Sequence, residues 1–290
     1  MSMKTIPMEK ISRLRPSRKA AQLIIHAVLI GLGFIYMYPF LWVLASSLKK
    51  PGEFFSSGLS LIPKQLEFEN YAYAWNNGHF GTYFINTAIT TVAVTVVVIL
   101  LTSMSGYVLS RTSFPGKKFF IGGMLVLMFL PGGYTIIPTF ELAGKLGLLN
   151  SLLGIIVVQA ASGLIFNTLL FMGYFATIGK EVEEAAVVDG ANLPRIYWHV
   201  MLPMAKPMIA TVGLFQFMIN WNSFWIPLVF TLGNQNLRTL AVGLYAFVGE
   251  NSTGWTYVSA GAIMSIIPIM AIFFLLQRYF IEAVAGAIKG

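Results

Sequence analysis

Apolar runs of about 20 residues recur along this chain, and no other feature restricts its fold so strongly. Such a run is long enough to cross the hydrocarbon core of a bilayer as a helix. Six are found, at roughly 22–46, 81–110, 119–142, 151–176, 207–231 and 257–281. In lipid every backbone N–H and C=O must be satisfied within the protein, so only helices or closed barrels cross. A barrel would show short segments of alternating polarity, and the runs here are continuous. The chain is therefore expected to be an all-α polytopic membrane protein with six transmembrane helices.

The remaining composition narrows the chemistry. Charged residues make up 10% of the 290, and the mean hydropathy is +0.74. There is no cysteine, which excludes disulfides and thiolate metal sites. His26, His79 and His199 are scattered, so no metal site is expected. The net charge of +8 is not read as a nucleic-acid surface, because no basic face is concentrated outside the N-terminal tail.

Those basic residues instead set the orientation. Lys4, Lys10, Arg13, Arg15, Arg18, Lys19, Arg111, Lys117, Lys118, Lys180, Arg195, Lys206, Arg278 and Lys289 fall on one side of the proposed spans. Lys49, Lys50, Lys64, Lys145 and Arg238 fall on the other. By the positive-inside rule both termini are cytoplasmic, and so is the 177–206 loop. Residues 1–21 form a basic cytoplasmic tail, and 22–290 form the membrane domain. The first apolar run exceeds the core of a signal peptide and reads as a retained anchor. Two longer segments, 47–80 and 232–256, lie outside.

The 177–206 loop departs from the rest of the chain. It contains "EEAAVVDGANLPRIYWHVMLP" (183–203), with the sole aspartate, Asp189. Glu181, Glu183 and Glu184 sit where negative charge complements the start of a helix. Ala185 and Ala186 favour helix, and Gly190 suits a left-handed C-cap. Asn192 is placed to cap a second helix with Pro194 in its first turn. Leu193, Ile196, Tyr197 and Val200 share one face of it. Pro203 and Pro207 are expected to end it. The loop thus predicts a helix–turn–helix elbow.

These residues resemble the EAA loop of permeases of type I ABC importers. Glu184, Ala185, Ala186, Gly190, Leu202 and Pro203 match at the family's spacing, and Val200 stands where isoleucine is usual. The segments "NWNSFWIPLVF" (220–230) and "AGAIMSIIPIMAIFFLLQRYFIEAVAGAIKG" (260–290) resemble the second permease subunit of the maltose-transporter class. The resemblance implies a type I ABC importer permease fold and a transport subunit that is not itself an enzyme. It implies as partners a homologous second permease, two ATP-binding-cassette ATPase subunits and an extracytoplasmic solute-binding protein, in the inner membrane with its lipid. ATP and magnesium would be bound by the ATPase subunits, with no cofactor in this chain; the phosphate-binding pattern GxxxxGK[ST] is absent.

The same resemblance gives the 183–203 elbow a role. Glu184 would form an ion pair with the ATPase, Gly190 would make the turn, and Leu202 and Pro203 would fix the elbow to the fifth span. Asp189 would either finish the turn or touch the partner. Residues 247–255 resemble an outer loop that reaches the binding protein, with Gly249, Glu250, Asn251 and Ser252 as contact candidates.

The substrate path is less determined. Asn220, Trp221, Asn222 and Trp225 offer amides for sugar hydroxyls and indoles for sugar rings; equally, they are the side chains that join helices within membranes. "LPGGYTIIP" (130–138), with Pro131, Gly132, Gly133 and Pro138, must be buried in protein or line a cavity. The substrate expected is a carbohydrate, with an anionic oligosaccharide or sugar phosphate as the alternative. A secondary transporter would place ionisable groups near the midplane, where this chain has almost none. An intramembrane enzyme would need a catalytic constellation that the spans do not supply.

Overall fold

The computed structural model describes residues 18–130, 132–250 and 254–288. Helix α1 (Arg18–Ser47) leads into two short outer helices, α2 (Glu53–Ser56) and α3 (Glu69–Asn77). The long helix α4 (Phe80–Arg111) returns across the molecule. Next come α5 (Lys117–Leu127), α6 (Ile136–Lys145) and the long α7 (Leu152–Thr177). The elbow consists of α8 (Glu181–Val188) and α9 (Leu193–Met204). Beyond it lie α10 (Lys206–Trp221), α11 (Trp225–Phe230), α12 (Leu240–Glu250) and α13 (Trp255–Ile288).

Four helices are long and apolar enough to cross a membrane, through Ala21–Ser47, Phe80–Arg111, Leu152–Thr177 and Trp255–Leu275. A fifth span exists only if α9 and α10 are joined across their 74° bend. Six uninterrupted spans are therefore not observed. The 119–142 run divides into α5 and α6, separated by a 3-10 turn at Gly132–Thr135. After α5 the chain tightens into three-residue bonds, such as Leu130 N–H to Leu127 O at 3.1 Å. Pro131 lies outside the described residues. The 207–231 run is also divided. α10 stops at Trp221, and Asn222 Nδ2 donates back to Met218 O at 2.8 Å. Pro227 lacks the N–H that a continuous helix would use there.

α4 is a helix despite the run "TTVAVTVVVILLTS" (90–103), whose branched residues weaken helices in water. In lipid the helix is the only local way to satisfy this backbone. Its hydroxyls turn inward as well: Thr87, Thr90 and Thr102 donate to the carbonyls four residues back at 2.6–2.9 Å. α4 packs along α7 over most of its length, with α10 on another side and α13 beyond.

Two aromatic clusters hold the ends. The outer one gathers Phe80, Tyr83, Phe217, Trp221 and Phe247. The cytoplasmic one gathers Tyr107, Phe171, Phe175, Ile196, Tyr197, Met201 and Val212. The outer segment is a packed cap. Lys49 is fully buried and donates from Nζ to Ser60 O at 2.7 Å. Asn70 Nδ2 donates to Ser47 O and Lys49 O, both at 2.8 Å.

The α4–α7 contact depends on Gly106. A Cβ there would stand 2.6 Å from Phe171 Cβ and 2.8 Å from the Met172 backbone nitrogen. Small residues permit such close helix approaches in membranes. Gly106→Val is expected to force the helices apart and destabilise the protein by about 1–3 kcal/mol. Thermal unfolding in detergent would show this as a lower midpoint. Gly31→Val, where nothing lies within 4 Å, should leave the midpoint in place. Equal behaviour of the two variants would remove the close-approach argument.

Candidate functional site

The elbow is built by local rules. α8 begins with Glu181, Glu183 and Glu184 in its first turn. Its end is closed by Gly190, whose φ is +79°, a conformation that a side chain makes costly. Ala191 N–H then reaches Ala186 O at 3.0 Å and Gly190 N–H reaches Val187 O at 2.9 Å, satisfying carbonyls that the helix end leaves open. Asn192 Oδ1 accepts from Arg195 N–H at 3.1 Å and starts α9, with Pro194 in its first turn.

α9 does not end at Pro203. A π-turn at Tyr197–Met201 widens the helix just before it. The missing proline N–H and its ring are accommodated there, and the chain bends by 74° only at Ala205–Lys206. Ile196, Tyr197 and Met201 are buried in the cytoplasmic cluster, and Val200 and Leu202 pack against it. Leu193, expected on the same face, is exposed instead. Tyr197 Oη bonds Ser103 Oγ at 2.8 Å, tying α9 to α4.

An ion pair fixes the other arm. Arg111, the last residue of α4, places Nε 2.9 Å from Glu183 Oε1. It also donates from an η nitrogen to Ile178 O at 2.6 Å. The two side chains are only 8% and 18% exposed, so the pair is shielded from solvent and salt. Glu183 therefore faces inward, while the neighbouring Glu184 is exposed beside exposed Val187 and Val188. A surface cleft of about 470 Å³ lies between Arg111, Lys180, Glu183, Glu184, Val187 and Val188. Ala185, Asp189 and Gly190 are exposed on the same arm.

The substrate-path candidates separate. Trp221 is 4% exposed, stacks on Phe217 and donates its indole N–H to Ser265 O at 3.0 Å. It joins α10 to α13, the helix-joining role that the sequence also allowed for it. Asn222 is exposed and bonded to its own helix. Asn220 lines a cleft of about 210 Å³ between α7 and α10, together with Gln159, Ser162, Asn167, Gln216 and Ser223. Trp225 lines an adjoining space of about 550 Å³ with Phe224, Phe230 and Thr139. Ser162, Ile219, Ser223 and Ile226 border both. Thr135, Ile136 and Thr139 place the broken 130–138 region on the cleft wall.

Gln159, Ser162, Asn167 and Gln216 were not among the expected site residues. A signal was present in the spacing. Gln159, Ser162, Gly163, Phe166 and Asn167 recur at helical intervals, as do Gln216, Asn220 and Ser223, so each set lies on one face. Of the binding-protein contact candidates, Gly249 and Glu250 close α12, whereas Asn251 and Ser252 lie outside the described residues. Phe247, expected in an outer loop, is buried within α12.

The fold and these two features are those of a multi-pass membrane component, and the family that the chain matches is one of cytoplasmic-membrane transport components rather than enzymes. Residues 83–286 match the family model described as "Binding-protein-dependent transport system inner membrane component", and the chain belongs to that family. It is similar to the diacetylchitobiose uptake system permease protein NgcG of Streptomyces coelicolor, with 35% identity over 91% of this chain and 86% of that one. It is similar to the melibiose/raffinose/stachyose import permease protein MelC of Bacillus subtilis, with 29% identity over 96% of this chain and 100% of that one. A solved bacterial ABC transporter that imports the acidic polysaccharide alginate contains a chain of like structure. The TM-score is 0.79 at 29% identity, over 92% of this chain and 99% of the other.

Breaking the shielded pair is expected to leave one charge unpaired. Glu183→Gln should destabilise the protein by about 3 kcal/mol. Glu183→Gln combined with Arg111→Gln should lose little more than either single change. Equilibrium unfolding in mixed micelles measures all three variants. Additive losses would show that Arg111 and Glu183 do not interact.

Proposed function

We propose that this chain is one of two homologous permease subunits in an ATP-driven carbohydrate importer. An extracytoplasmic binding protein delivers the sugar, and two ATPase subunits drive its passage. The observation that carries this reading is the elbow. Its α8 arm presents Glu184, Val187 and Val188 to the cytoplasm and is anchored by Arg111–Glu183, and its α9 arm is anchored by Tyr197–Ser103. A force applied to the exposed arm would reach α4 through the ion pair and α10 through the bend. ATP-driven closure of the ATPases would then move the spans as rigid bodies.

Carbohydrate is supported by the oligosaccharide uptake systems named for the similar permeases and by the amide and aromatic lining of the cleft. The second reading, an acidic oligosaccharide, is supported by the alginate-importing relative.

The permease should co-purify with its ATPase subunits, and Glu184→Lys should abolish sugar-stimulated ATP hydrolysis while leaving the folded chain in the membrane. Measured in proteoliposomes with binding protein present, wild-type stimulation in Glu184→Lys would refute the coupling role. Failure of every saccharide tested to stimulate hydrolysis in the wild-type complex would refute carbohydrate as the substrate.

A further inference from the structure

Gln159 stands in the outer third of α7, about 10 Å along the helix from Leu152 at 1.5 Å per residue. It is 5% exposed, and neither Nε2 nor Oε1 has a hydrogen-bond partner among the described residues. A buried carboxamide with both ends unpaired is costly, by about 1–3 kcal/mol for each group. The buried hydroxyls left unpaired on α4, those of Thr91, Thr95 and Ser110, differ in kind. A serine or threonine hydroxyl can rotate to the carbonyl three or four residues back. Gln159 has no such local remedy for two ends at once.

The surroundings of Gln159 are polar but uncharged. The cleft it lines holds Ser162, Asn167, Gln216, Asn220 and Ser223. Asn220 Nδ2 donates to Gln216 O at 2.7 Å and to Gln216 Oε1 at 3.1 Å, and Asn167 Nδ2 donates to Gly163 O at 2.6 Å. These bonds position the amides on the two cleft walls and leave Gln159 without a protein partner. A polar cleft of this sort would not be turned to lipid; it belongs on a water-filled path. The adjoining space supplies Phe224 and the exposed indole of Trp225. Among the described residues, no lysine, arginine, aspartate or glutamate lines either part.

We infer that the α7–α10 cleft is a binding site within this subunit for a neutral, hydroxyl-rich solute, and that Gln159 is the group it satisfies. A carboxamide donates and accepts at once, as a pair of sugar hydroxyls requires. An aromatic face suits the apolar side of a pyranose ring. A carboxylated sugar would bring its charge into a site with no cation to meet it, which is unfavourable at low dielectric. The inference rests on the carbohydrate-importer reading and narrows it to uncharged saccharides.

The test uses the complete transporter in proteoliposomes, with binding protein outside and ATP inside. Its probes are a panel of neutral di- and trisaccharides and a matched panel of oligouronates. Neutral members should stimulate ATP hydrolysis and accumulate, and oligouronates should do neither. In Gln159→Met, uptake per ATP hydrolysed should fall about tenfold, while the unfolding midpoint stays level or rises, because an unpaired buried amide has been removed. In Trp225→Ala, a change at an exposed position, uptake should fall without loss of stability. Unchanged uptake per ATP in Gln159→Met overturns the inference whatever its midpoint does. Transport of oligouronates alone overturns it too, and leaves the carbohydrate reading standing. Stimulation by neither panel removes both.

Discussion

The guanidinium of Arg111 holds the cytoplasmic side of this protein together. It ends α4, pairs with Glu183 on α8 and donates a hydrogen bond to the carbonyl of Ile178 just past the end of α7. Two segments distant in sequence, the end of α4 and the turn from α7 into α8, are joined at one shielded cation. Ser103–Tyr197 adds a second tie to α4, one helix further along the elbow. Without these bonds the elbow would hang from its two ends. With them it is an extension of the α4–α7 pair, in which Gly106 lets Phe171 approach closely. The exposed Glu184 face is thereby mounted on a rigid support.

The polar cleft depends on the same frame from its other side. α7 presents Gln159, Ser162 and Asn167, and α10 presents Gln216 and Asn220, with Ser223 just beyond its end. Gly163 sits between them, with Gln216 Oε1 3.1 Å from where its Cβ would stand. α10 begins at the 74° bend that ends the elbow. One continuous path of packed helix therefore runs from the cytoplasmic arm to the cleft wall.

Much of this was legible in the sequence, because it follows from local chemistry. Gly190, Asn192 and Pro194 each demand one backbone arrangement, and the elbow has all three. The long runs that became α1, α4, α7 and α13 are legible because lipid leaves their backbone no alternative. The failures are of a different kind. The 119–142 run has the composition of a span, yet it breaks around residues 128–135, where Pro and Gly residues outweigh its hydropathy. Pro203 was expected to stop α9, but a π-turn absorbed it. Trp221 and Asn220 are neighbours on one helix, and only three-dimensional packing sends the first to Ser265 and the second to the cleft. Three helices, α5, α6 and α7, separate Arg111 from Glu183 in the chain, and no spacing rule relates the two. Gln159 was visible as an amide in an apolar run, but its lack of a partner is a fact about its neighbours.

The central claim is that the elbow and α4 move as one body. The chain contains no cysteine, so a nitroxide pair can be placed without altering any native thiol. Val188→Cys marks the exposed arm and Val96→Cys marks a lipid-accessible point on α4. Electron–electron distances would be recorded in the assembled transporter, first without nucleotide and then with ATP and vanadate. The account predicts one distance distribution that keeps its centre in both states while the transporter turns over. A shift of about 5 Å or more between the states, the scale of a one-turn slide, would mean that the elbow swings free of α4 and would contradict it.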